Sequence, residues 1–407
     1  MIPEVRAKIE HIQLRSISEG YKKSKVGVIP DAWCCYQIHE CLSICNYERK
    51  PISEDVRKTI PGPYPYYGPT QAQGYIATYE SEGPAVLIGE DGDHFLKYKN
   101  QEMTMYVDGK YTVNNHAHVL RGTELCETKW FYYAYQHKSL FDAITRQGAG
   151  RYKLTKEALI KLSLQCPPIE EQKKIISILN TQDKVIKLKE KRLAEKQRQK
   201  KYLMQQLLTG KKRLPGFYGA WSFPKAKELF QSVSDKDHNG DLAVLSSTQD
   251  RGIVPRDEVD IDIKYDACSL ANYKKVSKGN FVISLRSFQG GIEYSTYTGL
   301  VSPAYTVLSS RKEISDGYYK QFFKSTDYIN RLNVAVYGIR DGKQISYEDF
   351  GRLRIPYPPI KEQDAIAEVL STADHEIDLL RQDIEQEKQK KKALMQLLLT
   401  GIVRVKT

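Results

Sequence analysis

Side chains able to read or grip a nucleic acid recur in two stretches of the chain. The first stretch carries Tyr64, Tyr66 and Tyr67 beside Gly68, then Gln71 and Gln73, and later Asn114, Asn115 and His116 ahead of Ala117-His118. The second carries Thr248, Gln249 and Arg251, then Arg286, Ser287 and Gln289 before Gly290-Gly291, and later Tyr305 after Ser302-Pro303-Ala304. Arg151 follows Gly148-Ala149-Gly150, and Arg340 and Lys343 flank Asp341-Gly342. Gln and Asn present the paired donor and acceptor that match adenine, and Arg the fork that matches guanine. Tyr, Lys and backbone amides beside glycines position phosphates. Taken singly, such residues more often build turns and fill cores. Their clustering in both halves points to nucleic-acid readout.

Other chemistry is sparse. Gly210-Lys211-Lys212 lacks the upstream glycine of a phosphate-cradling loop. No Gly-rich strand-to-helix turn suits S-adenosylmethionine or a dinucleotide. Tyr357-Pro358-Pro359-Ile360 is the wrong arrangement for an amino-methyltransferase tetrad. Asp260, Asp262 and Lys264 alternate as in half of a metal-dependent nuclease site, and a charged edge strand explains them equally well. Glu90-Asp91-Gly92-Asp93-His94 reads as an acidic glycine turn. His39, Cys41 and Cys45 lack an evident fourth ligand nearby. The sequence predicts no catalytic residue, no metal site and no cofactor of the chain's own.

The elements that must position these clusters include a stretch present twice. One copy runs from Pro167-Pro168-Ile169-Glu170-Glu171-Gln172 to Leu207-Leu208-Thr209-Gly210. The other runs from Pro358-Pro359-Ile360-Lys361-Glu362-Gln363 to Leu398-Leu399-Thr400-Gly401, at a constant offset of 191. Ungapped identities at both ends establish a tandem duplication. Apolar residues recur at steps of three and four: Ile175, Leu179, Ile186, Leu193, Leu203 and Leu207 in one copy. The other gives Ile366, Leu370, Ile377, Leu380, Ile384, Leu394 and Leu398. A repeat near 3.5 over this length predicts coiled-coil helices of roughly 60 Å. Pro-Pro suits a helix start and Thr-Gly a left-handed stop.

Charge predicts how the helices pair. The later half of the first is basic, with Lys187, Lys189, Lys191, Lys196 and Lys200. The second is acidic early, with Glu362, Glu368, Asp374, Glu376 and Asp383, and basic late. A parallel pair sets basic beside basic, so an antiparallel intramolecular coiled coil is expected, with a globular domain at each end and a pseudo-two-fold axis.

The 407 residues carry a formal net charge of +12, which suits a polyanionic partner, although ribosome or acidic-protein binding gives the same balance. Met1 to Gly20 reads as a short amphipathic helix, not a secretory signal, and no apolar run suggests a membrane span. Seven cysteines without disulfide-like spacing fit a reducing cytoplasm. Ahead of each duplicated stretch lie short β-type runs, such as 85–88 and 103–107 before the first and 281–285 and 304–308 before the second, each set ending in an aromatic helical segment, 130–135 and 317–323. The fold class expected is α/β (α+β) with mixed, irregular sheets. The expected organisation is an N-terminal arm 1–26, a variable domain 27–166, a helix 167–213, a second variable domain 214–357 and a second helix 358–407. Pro30 to Trp33 and Pro215 to Trp221 read as latches at which each domain begins.

The Pro-Pro-Ile-x-Glu-Gln openings, the Leu-Met-Gln-x-Leu-Leu-Thr-Gly endings and the two divergent domains resemble the DNA-specificity subunit of type I restriction-modification enzymes, over nearly the whole chain. Tyr64-Pro65-Tyr66-Tyr67-Gly68, Asn114-Asn115-His116-Ala117-His118 and Val301-Ser302-Pro303-Ala304-Tyr305 look like target-recognition segments. The resemblance implies that each variable domain reads half of a bipartite double-stranded DNA target and that the helices set the gap. It also implies a non-catalytic, cytoplasmic subunit that docks two methyltransferase subunits, which restriction subunits then join, with S-adenosylmethionine, ATP and Mg on the partners. The residues alone leave two alternatives: a coiled-coil scaffold binding protein or RNA without sequence readout, and a nuclease using Asp260, Asp262 and Lys264.

Overall fold

The computed structural model describes residues 19–146, 151–249, 251–259, 267–285, 287–335 and 345–406. Arg286, Arg340, Lys343, the segment from Asp260 to Lys264 and most of the N-terminal arm lie outside the described residues. Two helices of 39 residues span Ile169–Leu207 and Ile360–Leu398. The chain divides into two units, Met1–Leu188 with Ile384–Thr407, and Lys189–Asp383, so each long helix contributes to both. Among the described residues, no helix is long and apolar enough to cross a membrane.

The duplicated motifs act as helix ends. The carbonyl of Pro168 accepts from the amides of Glu171 and Gln172, and that of Pro359 from Glu362 and Gln363. At the other end Gly210 and Gly401 adopt φ of +70° and +73°, and the amides of Lys212 and Val403 reach back to the carbonyls of Gln206 and Leu397. Glycine serves twice over there. A Cβ on Gly401 would fall 2.4 Å from Pro30 Cγ, and one on Gly210 3.1 Å from the Trp221 ring. Each Thr-Gly is both a left-handed stop and a seat for the latch.

In both units the helices run antiparallel. In the second, Lys189 pairs with Asp383 at 2.7 Å, Lys196 with Glu376 at 2.6 Å, and Lys200 with Asp374. In the first, Gln182 Nε2 donates to a Glu387 carboxylate oxygen at 2.6 Å and Lys391 pairs with Asp183 at 2.7 Å. Of the seam residues, Ile175, Leu179, Leu207, Ile366, Leu370, Ile377, Ile384 and Leu398 are buried, and Ile186, Leu193, Leu203, Leu380 and Leu394 half-buried.

A buried carboxylate pins each helix start. Glu171, fully buried, receives the Trp33 indole at 3.1 Å and a bidentate Arg404 at 2.6 and 2.7 Å. Glu362, equally buried, receives the Trp221 indole at 2.9 Å and a bidentate Arg213 at 2.5 and 2.6 Å. Every carboxylate thus takes its guanidinium from the segment that follows the other helix. The adjoining Gln172 bonds the carbonyls of Leu125 and Pro167 and accepts from the Glu127 amide, while Gln363 bonds the Pro358 carbonyl and accepts from the Ser315 amide.

The first unit holds two four-stranded sheets. One is antiparallel, in the order Leu42–Ile44, Ala117–Gly122, Ala85–Gly89, Thr104–Val107. The other is mixed, in the order Ala72–Ile76, Pro61–Tyr67, Lys110–Val113, Ser81–Glu82, with a parallel pair between Tyr66 and Thr112. All five residues of Ala85–Gly89 are buried, as an uninterrupted apolar run requires of a central strand. The second unit has a four-stranded antiparallel sheet in the order Phe230–Val233, Thr306–Ser310, Phe281–Ile283, Glu293–Tyr294. Each domain rests on its long helix through an aromatic helix. Thr128–Tyr135 buries Trp130, Phe131, Tyr133 and Tyr135 in one core with Ile175 and Leu179. Asp316–Phe322 buries Tyr318, Tyr319 and Phe322 in another with Ile366 and Leu370. Tyr133 also bonds Asp183 and Gln321 bonds Asp374, the same duplicated aspartate.

Candidate nucleic-acid interface

In the first unit the turns after Pro61–Tyr67 and Lys110–Val113 meet the acidic turn 90–94 around a cleft of about 680 Å³. Its lining includes Tyr66, Gln73, Asn114, Asn115, His116 and Arg151, which lie far apart in sequence. Asn114 is buried and structural. Its Oδ1 accepts from the His116 amide at 2.8 Å, and its Nδ2 donates to Gln73 Oε1 at 3.2 Å. That internal turn leaves Asn115 exposed at the tip. Arg49 holds the tip from behind, donating to the Asn115 carbonyl at 3.1 Å while its charge is met by Glu90 at 2.6 Å. His116 Nδ1 meets Asp91 at 2.7 Å.

The tyrosines divide. Tyr66 is buried, its hydroxyl donating to the Lys50 carbonyl at 3.2 Å and accepting from the Ile52 amide at 2.9 Å. Tyr64 and Tyr67 are half-buried, edge-on to Tyr79 and Tyr111. Gln71, Gln73 and Arg151 are exposed. Sequence reasoning missed Arg57, Lys97 and His94 in the lining. Arg57 stacks its guanidinium 4.7 Å from the Tyr66 ring centroid. Only the fold brings its short helix, Glu54–Thr59, to the cleft. Burial holds the His94 imidazole below its ordinary pKa, and its ring nitrogen Nε2 has no hydrogen-bond partner.

In the second unit Thr248 and Arg251 occupy the turn of the hairpin Leu245–Thr248 and Gly252–Pro255. Thr248 Oγ1 donates to the Gly252 carbonyl at 2.9 Å, and Arg251 reaches the Glu258 carbonyl at 2.9 Å. Gln249 and Gln289 meet at 3.5 Å, and Lys324 Nζ bonds the Gln249 carbonyl at 3.1 Å. Gln289 is exposed, whereas Ser287 is buried and caps the Ser284 amide at 2.8 Å. Tyr305 is half-buried against the apolar cluster of Leu245, Ile253 and Val307. The fold therefore gathers Thr248, Gln249, Arg251 and Gln289, and leaves Tyr305 on the apolar cluster.

Amide and guanidinium groups held on turns, with phenol rings and lysines around them, are equipped to hydrogen-bond base edges and phosphates. A family profile described as the type I restriction modification DNA specificity domain matches residues 30–198 and again 220–389. The chain belongs to this family. It is a specificity subunit with two recognition domains, and it is not catalytic. The putative type I restriction enzyme MjaX specificity subunit of Methanocaldococcus jannaschii is 24% identical over 96% of this chain and 98% of its own. The MjaVIII specificity subunit of the same organism is 23% identical over 95% and 97%. The crystal structure of the type I restriction-modification S subunit from M. genitalium shares the fold, at 12% identity and a TM-score of 0.59, covering 94% of this chain and 99% of that one.

Proposed function

We propose that the domains at 27–166 and 214–357 of this specificity subunit each read one half of a bipartite double-stranded DNA target. In the first, Asn115, Gln71, Gln73, Arg57 and Arg151 face the DNA around the cleft. In the second, Gln249, Arg251 and Gln289 do so from the hairpin. The duplicated helices at 167–213 and 358–407 set the gap between half-sites and dock two methyltransferase subunits, and restriction subunits join that complex in the cytoplasm. S-adenosylmethionine, ATP and Mg belong to those partners. The observation that carries the reading is the convergence of Asn114 to His116, Gln73 and Arg151 on one cleft of a chain matched twice by a DNA-specificity profile.

The test is methylome sequencing of cells expressing the chain with its methyltransferase. Asn115→Ala with Arg151→Ala is expected to relax one half-site, and Gln249→Ala with Gln289→Ala the other. A lost base contact removes about 1–3 kcal/mol of discrimination. Both half-sites unchanged in both variants would refute the assignment, and absence of any bipartite motif with a folded methyltransferase would favour the scaffold reading.

A further inference from the structure

Three cysteines far apart in sequence meet in the core of the first unit. Cys41 ends the short helix Ile38–Cys41, Cys126 lies in the turn before the aromatic helix, and Cys166 ends the strand Ser163–Cys166. All are buried, with exposures of 0, 0 and 2%, and their sulfurs lie within 4.8 Å of one another. The sequence-adjacent trio His39, Cys41 and Cys45 does not form: His39 is exposed, and Cys45 packs in a different apolar cluster. The backbone around the three thiols is pinned. Thr123 donates from its hydroxyl to the Cys41 carbonyl at 2.7 Å and from its amide to the Cys126 carbonyl at 3.0 Å. Gln172 bonds both neighbours of Cys126 and the carbonyl that follows Cys166.

We propose that Cys41, Cys126 and Cys166 form a binding site for one trivalent thiophile of the arsenite class. Three sulfurs, with no fourth donor in the group among the described residues, suit a three-coordinate centre better than tetrahedral zinc. Charge decides among the soft ions. Three thiolates around a monovalent or divalent ion leave a net negative charge in an apolar core, which is costly, whereas a trivalent centre leaves none. The step is a ligand exchange without redox change. Arsenous acid and three thiols give the arsenic trithiolate and three waters, each thiol proton leaving with a hydroxide. The centre would tie the short helix, the aromatic-helix turn and the strand that feeds the first long helix.

The experiment titrates the reduced full chain with arsenite, then counts protected thiols in denaturant and measures bound arsenic by native mass spectrometry. One equivalent and three protected thiols are expected. Cys34→Ser with Cys35→Ser, on the neighbouring strand, should leave both unchanged. Cys126→Ala should raise the half-saturating arsenite by about a hundredfold, the scale of a lost chelating arm. Cys41→Ala should do the same if the first variant does not fold. Cadmium, which leaves a charge, should bind more weakly than arsenite. Binding that follows Cys34 and Cys35, protection of no thiols in the folded chain, or cadmium binding tighter than arsenite would each overturn the proposal.

Discussion

Arg213→Ala tests whether a buried charge holds the start of the second long helix. Glu362 has no exposed surface, and its oxygens are met by Arg213 twice and by the Trp221 indole. Arg213 also lies 5.2 Å from the Trp221 ring, so its loss removes packing as well as charge. Deleting one partner of a buried ion pair leaves the other uncompensated and costs about 3–5 kcal/mol. The exposed pair of Lys196 and Glu376 should matter far less, because solvent screens it. Hydrogen exchange by mass spectrometry on peptides covering 355–375 reads this locally, with peptides covering 160–185 as the control in the other unit. At about 1.4 kcal/mol per tenfold, exchange near Glu362 should quicken by two to nearly four powers of ten. The double variant Arg213→Ala with Glu362→Gln keeps an acceptor for the indole and buries no charge. It should recover about 2 kcal/mol or more. If single and double variants exchange alike, the buried-charge account is wrong and Arg213 acts through packing alone.

The left-handed glycines predict a contrast: Gly401→Ala should destabilise the first unit by well over the ~1–2 kcal/mol of the backbone alone, because its Cβ meets Pro30. Gly20→Ala, with φ of +82° and open space around it, should cost only that backbone term, and thermal unfolding of the two variants checks the difference. His94 predicts acid sensitivity. Burial lowers its pKa in the folded chain, so the unfolded chain binds more protons and the stability it contributes is present above its ordinary 6.5 and is lost as pH falls below it. Urea unfolding at pH 7.5 and 5.5 should therefore show a smaller acid loss in His94→Gln than in the parent, and equal losses would refute it. Arg49→Met should free the Asn115 tip and weaken DNA binding of the assembled complex while leaving Glu90 paired with Lys153, at 3.5 Å; unchanged binding in a shift assay would show that the tip is not read.

The duplicated helices were legible because periodicity and charge act locally and repeat at a fixed offset. The seam, both glycine stops and the antiparallel order follow from those two signals. The partners of Glu171 and Glu362 were not legible, since Arg404 lies 233 residues from Glu171 and nothing local marks a surface arginine as bound for a buried carboxylate. Tyr66 and Asn114 look like readers in sequence, yet their polar ends bond the backbone and build the turn that exposes Asn115. Amphipathic residues carry both meanings until burial is known. Arg57 and Lys97 entered the cleft through tertiary folding alone, and Cys41 met Cys126 and Cys166 rather than its sequence neighbours for the same reason.

The exchange of arginines between the helices orders the assembly of the chain as it is synthesised. The second unit is one continuous segment, Lys189–Asp383, and holds Arg213, Trp221 and Glu362. Its pin can close once the ribosome has released its last residues. The first unit contains the earliest domain, yet Glu171 waits for Arg404, which emerges after the whole of the second unit has been made. At about 5–20 residues per second, the 42 residues from Glu362 to Arg404 (404 − 362) take several seconds, during which the Glu171 carboxylate has only the Trp33 indole. The domain at 27–166 is therefore made before the second unit yet locked after it, and a nonsense mutation shortly before the codon of Arg404 would be felt more than two hundred residues upstream, at Glu171.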